Sequence, residues 1–104
     1  MAAQRAGIAP EVAASLKNNY PTLDWQKVID YNLERMASHG IRRAEEMEQV
    51  AATLRELGVA PLMTEAIVTR QREMGELGKA DAVRAANREG GPPMLEAIER
   101  ATKP

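Results

Sequence analysis

Four residues that could bind an anion lie together near the middle of the chain, in the stretch HGIRRAEEM over residues 39–47. His39, Arg43 and Glu46 recur at helical spacing, and Arg42 stands four residues before Glu46. If a helix begins near residue 39, both arginines lie in its first turn, where free backbone N–H groups and guanidinium groups together bind a carboxylate or phosphate. The alternative is a solvated helix face on which arginine and glutamate form ion pairs. The local sequence leaves both interpretations open.

Few other residues could do chemistry. Lys17, Asn18 and Asn19 could orient a substrate hydroxyl, but they stand just before the Tyr20-Pro21 pair, where turn chemistry explains them. The chain has no cysteine and one histidine, and its carboxylates have the spacing of surface residues, so we expect no metal site. No acid–base pair, catalytic triad, phosphate loop or dinucleotide fingerprint is present, and we predict no catalytic residue.

The composition suits one small helical domain. Apolar residues make up 44 % of the 104 residues, but there is no Phe, one Trp and two Tyr. A core so poor in aromatic residues is small, and we expect part of the apolar surface to lie against something outside this chain. The net charge of -1 argues against nucleic acid as a partner. No apolar run reaches the roughly 20 residues of a membrane helix, and we expect a cytoplasmic protein.

Apolar residues recur with a period of 3.6 along nearly the whole chain, which predicts an all-α fold, a compact bundle of four to six helices. The first helix begins near Pro10. Thr22 or Asp24 caps the second helix, which Gly40 ends or kinks. The third helix, IRRAEEMEQVAATLREL, is expected to end at Gly58 with a glycine cap.

A fourth helix is predicted after Pro61, then a short helix ended by Gly90 and Gly91 and a final helix opened by Pro92 and Pro93. The apolar residues that we predict to face the core from the third and fourth helices are Ala44, Met47, Val50, Ala51, Leu54, Leu57, Leu62, Ile67, Met74 and Leu77. The pattern weakens after Gly78. We therefore predict a helical domain over residues 1–78 and a helical tail over 79–104 that is mobile or packs on a partner chain.

Two stretches carry a family resemblance: AGIAPEVAASLKNNYPTLDW at 6–25 and HGIRRAEEMEQVAATLRELGVAPLMTEA at 39–66. They resemble the C-terminal helical domain of prokaryotic NAD(P)-binding proteins of the 6-phosphogluconate dehydrogenase-like group, relatives of 3-hydroxyisobutyrate dehydrogenase and other β-hydroxyacid dehydrogenases. The resemblance covers about residues 5–75. It implies part of an oxidoreductase that moves a hydride between nicotinamide and an alcohol carbon beside a carboxylate.

Similar enzymes bind NAD or NADP in an N-terminal Rossmann domain with a GxGxxG fingerprint. The resemblance therefore implies that this chain has no cofactor site, is inactive alone and has a Rossmann domain as a partner. In similar enzymes the helical domain dimerises and closes one wall of the active site, so a homodimer is also implied. The rival interpretation is a self-standing helical protein-interaction module with no enzymatic role.

The resemblance also bears on which residues face a substrate. A K-D-x motif of the family contributes to the substrate pocket and falls here on Glu45 and Glu46, so its lysine is not kept. Arg42, three residues before Glu45, is our preferred substitute for that positive charge. The substrate-binding residues implied are His39, Arg42, Arg43 and Glu46. The catalytic lysine of the family is not assigned to Lys17, which lacks the G-x-x-G-x-x-x-K setting of that residue.

Overall fold

The computed structural model describes residues 1–89 and 91–102, and the regular structure in these ranges is entirely α-helical. Its six described helices are α1 Ala2–Arg5, α2 Ala9–Asn19, α3 Trp25–Glu56, α4 Leu62–Leu77, α5 Asp81–Glu89 and α6 Gly91–Thr102. The predicted all-α fold and the predicted range of helix number are confirmed. Within the described part of the chain, no helix combines the length and the apolar character that a membrane crossing requires.

Residue contacts divide the chain into two compact units, and helix α3 contributes to both. The first unit contains Met1–Glu34 and the described residues from Asp81 onward, and the second contains Arg35–Ala80. In the first unit α6 contacts α1 and α5. The buried apolar residues of this unit, Val83, Met94 and Ile98, all come from the segment that the sequence predicts to be a tail. Whether that segment also reaches another chain stays a prediction.

The helix boundary predicted at Gly40 is wrong, because α3 runs without interruption from Trp25 to Glu56. Gly40 is buried where α3 meets α4. A Cβ atom added to Gly40 would lie 2.7 Å from the backbone nitrogen of Gly75. The glycine therefore permits a close approach of two helix backbones, and the tertiary contact offsets the roughly 1 kcal/mol that glycine costs inside a helix.

In the second unit α3 and α4 form an antiparallel hairpin whose contact line, here called the seam, consists mainly of small residues. Gly40 meets Gly75, and Gly78 meets Ala37. Most of the buried residues follow each other at intervals of three and four positions or their sum, the spacing of a coiled-coil stripe: Ala37, Gly40, Ala44 and Ala51 on α3, and Thr64, Val68 and Gly75 on α4. Met74, next to Gly75, is the one large side chain of α4 that is fully buried beside this stripe. Such a seam brings the helices close but buries little apolar area.

The predicted helix caps at Asp24 and Gly58 are confirmed. The Asp24 Oδ1 atom accepts a hydrogen bond from the Lys27 backbone N–H at 3.2 Å. Gly58 has a φ of 76°, which favours glycine at this position. The N–H of Gly58 donates to the carbonyl of Arg55 at 3.0 Å, and that of Val59 donates to Leu54 at 2.9 Å. This pair of bonds is the Schellman motif, and it ends α3 so that the chain can turn into α4.

The predicted core of the hairpin is partly wrong. Ala44, Ala51 and Met74 are buried as predicted, and Met47, Leu54 and Leu77 are half-buried. Four large residues predicted to face the core are exposed: Val50 by 43 %, Leu57 by 72 %, Leu62 by 74 % and Ile67 by 39 %. The physical reason is the seam, because small side chains occupy the contact line and the larger ones are left beside it.

Candidate functional site

The residues of the candidate anion site lie in the middle of α3, and not at a helix start. The hypothesis of an anion seat at a helix N-terminus required a helix that begins near residue 39, but α3 begins at Trp25. Backbone N–H groups of Arg42 and Arg43 are therefore inside a continuous helix, where preceding carbonyl groups accept them. That part of the hypothesis is wrong, and any anion bound here would have to be held by side chains.

The four side chains fall into two pairs with different environments. Arg42 donates from Nη1 to Glu46 Oε1 at 2.6 Å, and both side chains are more than half exposed, by 56 % and 61 %. His39 and Arg43 are also four residues apart, so they share a neighbouring face of α3. Both are half-buried. Within residues 1–89 and 91–102, neither the His39 side chain nor the Arg43 side chain takes part in a hydrogen bond or an ion pair.

These environments give the two arginines different capacities for binding. The charge of Arg42 is already balanced by Glu46, in the surface ion pair that the alternative interpretation predicts. Arg43 keeps all its guanidinium donors available in a partly desolvated place, where a charge-assisted bond is stronger than in open water. His39, on the same face, adds the ring N–H groups of an imidazole as further hydrogen-bond donors. The arrangement can bind a carboxylate through Arg43.

Lys17, Asn18 and Asn19 are the last three residues of α2, at the helix end where the sequence places them. Lys17 lies in the last turn of α2, where a cation interacts favourably with the helix dipole. The turn that follows is fixed by Trp25, whose Nε1 donates to the Tyr20 carbonyl at 3.1 Å and whose ring lies 6.0 Å from the Tyr20 ring. An open cavity of about 470 Å³ beside this turn is lined by Lys17, Asp24 and Trp25, among others. Because Asp24 already caps α3, it places a negative charge where an anion would have to enter.

The glycines of the described residues do not fit a dinucleotide. A pyrophosphate needs a glycine-rich loop that leads from a strand into a helix N-terminus. Here Gly40, Gly75 and Gly78 are used at the α3–α4 contact, and Gly58 ends α3. Among the described residues, none is arranged to seat the pyrophosphate of NAD or NADP. The described residues also contain no group of three or more histidine, cysteine, aspartate or glutamate side chains that could hold a metal ion.

Two features of the first unit were not found from the sequence. Arg5 Nε donates to Glu99 Oε1 at 2.5 Å, and the Glu99 side chain is only 8 % exposed. These partners stand 94 positions apart, so no local pattern could reveal them. A small, mainly apolar cavity of about 180 Å³ is lined by Pro10, Ala13 and Ile29, among others. The walls of this cavity come from separate helices. Neither the Arg5–Glu99 ion pair nor the cavity indicates a catalytic function.

Comparison with known protein families gives a match over most of the chain. The family model described as a domain of unknown function, DUF1932, matches residues 3–74. The chain belongs to the DUF1932 family. This family is known as the C-terminal helical domain of 6-phosphogluconate dehydrogenase-like proteins, so the resemblance seen in the sequence is confirmed. Searches of curated proteins and of solved structures gave no significant match.

Proposed function

We propose that this chain is the substrate-side and dimerising helical domain of an NAD(P)-dependent, hydroxyacid dehydrogenase-like oxidoreductase of the cytoplasm. Membership of a family known from dehydrogenase-like proteins supports this proposal. In such an enzyme the nicotinamide carries out hydride transfer, and the protein supplies position and electrostatics. The contribution of this domain is to bind the charged end of the substrate and to form one wall of the active site, while a Rossmann domain holds the cofactor.

The observation that carries the proposal is the half-buried Arg43, a cation without a partner among the described residues. An unpaired and partly desolvated guanidinium is costly to keep unless something anionic binds it. A hydroxyacid carboxylate is planar and accepts two parallel N–H donors from arginine. The sequence favoured Arg42, but the ion pair of Arg42 with Glu46 now favours Arg43 as the substrate ligand. His39, four residues away on the same face, is the second candidate contact.

Kinetics of paired variants test this assignment in a full-length member of the family that carries these residues. Removing a charge-assisted contact costs about 1.5–3 kcal/mol, so Arg43→Gln should lower kcat/KM for the hydroxyacid roughly tenfold to a hundredfold. Arg42→Gln is the matched control, because it removes the same charge one residue away and breaks only an exposed ion pair. That control should change kcat/KM by less than about twofold.

A substrate without the negative charge separates binding of the carboxylate from a general effect on folding. With the corresponding amide in place of the acid, wild type and Arg43→Gln should have similar kcat/KM, since no anion is left for Arg43 to bind. Equal losses for acid and amide would mean that Arg43 acts through structure. If neither arginine variant lowers kcat/KM for the hydroxyacid, the four residues form an ordinary solvated helix face and do not bind the substrate.

A further inference from the structure

The small apolar cavity of the first unit is formed where helix faces carry small side chains. Helix α2 lines it with Ala9, Pro10 and Ala13, and α3 lines it with Ile29, which is only half-buried. Because alanine and proline are too short to fill the space beside Ile29, a cavity of about 180 Å³ results. The walls of such a cavity lack the van der Waals contacts of a packed core, so a molecule that fills it stabilises the folded chain.

One charged side chain lines this cavity, that of Asp30. Ile29 and Asp30 follow Gln26 by three and four positions, so all three residues lie on one face of α3. The Asp30 Oδ1 atom accepts a hydrogen bond from Gln26 Nε2 at 3.0 Å. Asp30 is half-buried, and it forms no ion pair within residues 1–89 and 91–102. A partly dehydrated carboxylate without a counter-charge is costly, so this position favours a bound cation.

We propose that this cavity binds a small organic cation, a primary amine whose apolar body fills the cavity while its ammonium group contacts the Asp30 carboxylate. The volume sets the size of the ligand. An apolar cavity of about 150 Å³ holds benzene, so about 180 Å³ accommodates a six-membered ring or a chain of similar size. Because Gln26 Nε2 donates to Asp30, the Oε1 atom of Gln26 is a second acceptor for the ammonium group.

The surroundings of the cavity favour a cation over the other classes of small ligand. An anion would meet the charge of Asp30, and a neutral molecule would leave that charge without a partner. Lys27, three residues before Asp30, is exposed and forms no ion pair with it in the described part of the chain. Glu11 in the first turn of α2 offsets the positive end of that helix, which borders the cavity. A metal ion would leave the apolar walls without contacts.

Benzylamine is a suitable probe, because it joins a benzene ring to an ammonium group through one carbon. A ligand of this size binds weakly, and we expect a dissociation constant of roughly 1 mM. Benzyl alcohol has the same shape without the charge. At a partly exposed carboxylate the charge should contribute about fivefold in affinity. Benzoate carries the opposite charge and should not bind.

Titration of the full chain, followed by amide nuclear magnetic resonance at about pH 7 and constant ionic strength, measures these affinities. In wild type, benzylamine should shift the amide signals of cavity residues such as Ala13, Ile29 and Leu95. Benzyl alcohol should shift the same signals with a dissociation constant about fivefold higher. The same spectra show directly that each variant is folded.

Three variants locate the ligand. Asp30→Asn keeps an acceptor for Gln26 but removes the charge, so it should raise the dissociation constant of benzylamine about fivefold and leave that of benzyl alcohol unchanged. Asp24→Asn is the matched control, since it removes the same charge from α3 outside this cavity, and asparagine also caps a helix. It should change either constant by less than about twofold. Ala9→Leu narrows the cavity and should weaken both ligands.

A loss that is specific to benzylamine in Asp30→Asn, together with weaker binding of both ligands in Ala9→Leu, supports the proposal. Cavity signals that stay in place up to about 20 mM benzylamine overturn it. Equal affinities of amine and alcohol in wild type, or equal losses of both in Asp30→Asn, overturn the choice of a cation. A loss in Asp24→Asn alone would place the amine in the cavity beside the Tyr20 turn, and the proposal would be wrong. None of these results depends on Arg43, which belongs to the second unit.

Discussion

Replacing Gly75 by alanine probes the close contact of α3 and α4, on which the arrangement of the second unit depends. A Cβ atom at this position would lie 2.5 Å from the backbone nitrogen of Ile41, 2.8 Å from Ile41 Cγ1 and 3.0 Å from the carbonyl carbon of Gly40. Ordinary contacts of a Cβ atom begin at 3.4 Å. The neighbouring atom is backbone and cannot turn away, so the two helices must move apart by roughly 1 Å.

Two opposing free energies decide the sign of the effect. Alanine is favoured over glycine inside a helix by about 1 kcal/mol, which would stabilise the variant. Overpacking costs about 1–3 kcal/mol, and the rigid backbone contact places this substitution at the upper end. The net effect should be a destabilisation of about 2 kcal/mol. For a chain of this size that corresponds to a fall in Tm of roughly 8–16 °C.

Urea and thermal unfolding followed by far-ultraviolet circular dichroism measure this effect, at one protein concentration because a dimer makes stability depend on it. Ala66→Gly is the control, since Ala66 is exposed on the same helix and reports the helix preference without the contact. It should cost about 1 kcal/mol. If Gly75→Ala instead stabilises the protein by the amount that Ala66→Gly loses, then α3 and α4 are not in backbone contact and the seam is wrong.

Three further predictions concern the helix cap, the buried carboxylate and the cofactor. Gly58→Ala should destabilise the protein by about 1–2 kcal/mol in urea unfolding, because Gly58 has a positive φ while nothing crowds its missing side chain; an unchanged midpoint would contradict the Schellman cap. Arg5→Gln should lower the free energy of unfolding by about 1–3 kcal/mol, because it leaves the carboxylate of the 6 % exposed Glu99 without its partner. Glu99→Gln removes that buried charge and should lower the free energy of unfolding by less; a larger loss for Glu99→Gln than for Arg5→Gln would refute this. Calorimetric titration of the chain with NAD and with NADP should give no binding at millimolar concentrations, and a 1:1 binding isotherm would overturn the assignment of the cofactor to a Rossmann domain.

Local signals in the sequence predicted the helix ends well. Gly58 and Asp24 act within a turn of their own helix, so residue type and position were enough to identify both caps. Gly40 was misread for the same reason. A glycine inside a helical pattern has the same local signature whether it ends a helix or admits another backbone, and only the partner helix, here at Gly75, decides between them.

The core was harder to predict than the helices. The period of 3.6 identified the general side of α3 that faces the core, but it also predicted that large apolar residues such as Val50 and Leu57 are buried. The seam instead buries Ala44 and Ala51, whose small size is what brings the helices together. Residue type and the 3.6-residue period therefore located the apolar stripe of α3. They did not show which edge of that stripe packs against α4 and which edge stays exposed.

The candidate site was predicted as a set of residues but not as an arrangement. The cluster of His39, Arg42, Arg43 and Glu46 is contiguous in sequence, and helical spacing correctly paired Arg42 with Glu46. The preference between the two arginines depends on their exposure and partners, which follow from tertiary packing. The supposed helix N-terminus failed with the helix boundary at Gly40, since both conclusions relied on the same local signal.

The position of a bound substrate tests the central proposal most directly. A crystal structure of a full-length family member carrying these residues, with NAD or NADP and a hydroxyacid bound, would locate the substrate carboxylate. The proposal predicts a carboxylate oxygen within about 2.7–3.2 Å of the Arg43 guanidinium, with Arg42 still paired to Glu46. A carboxylate that is held only by residues outside these 104, with Arg43 facing solvent, would contradict it.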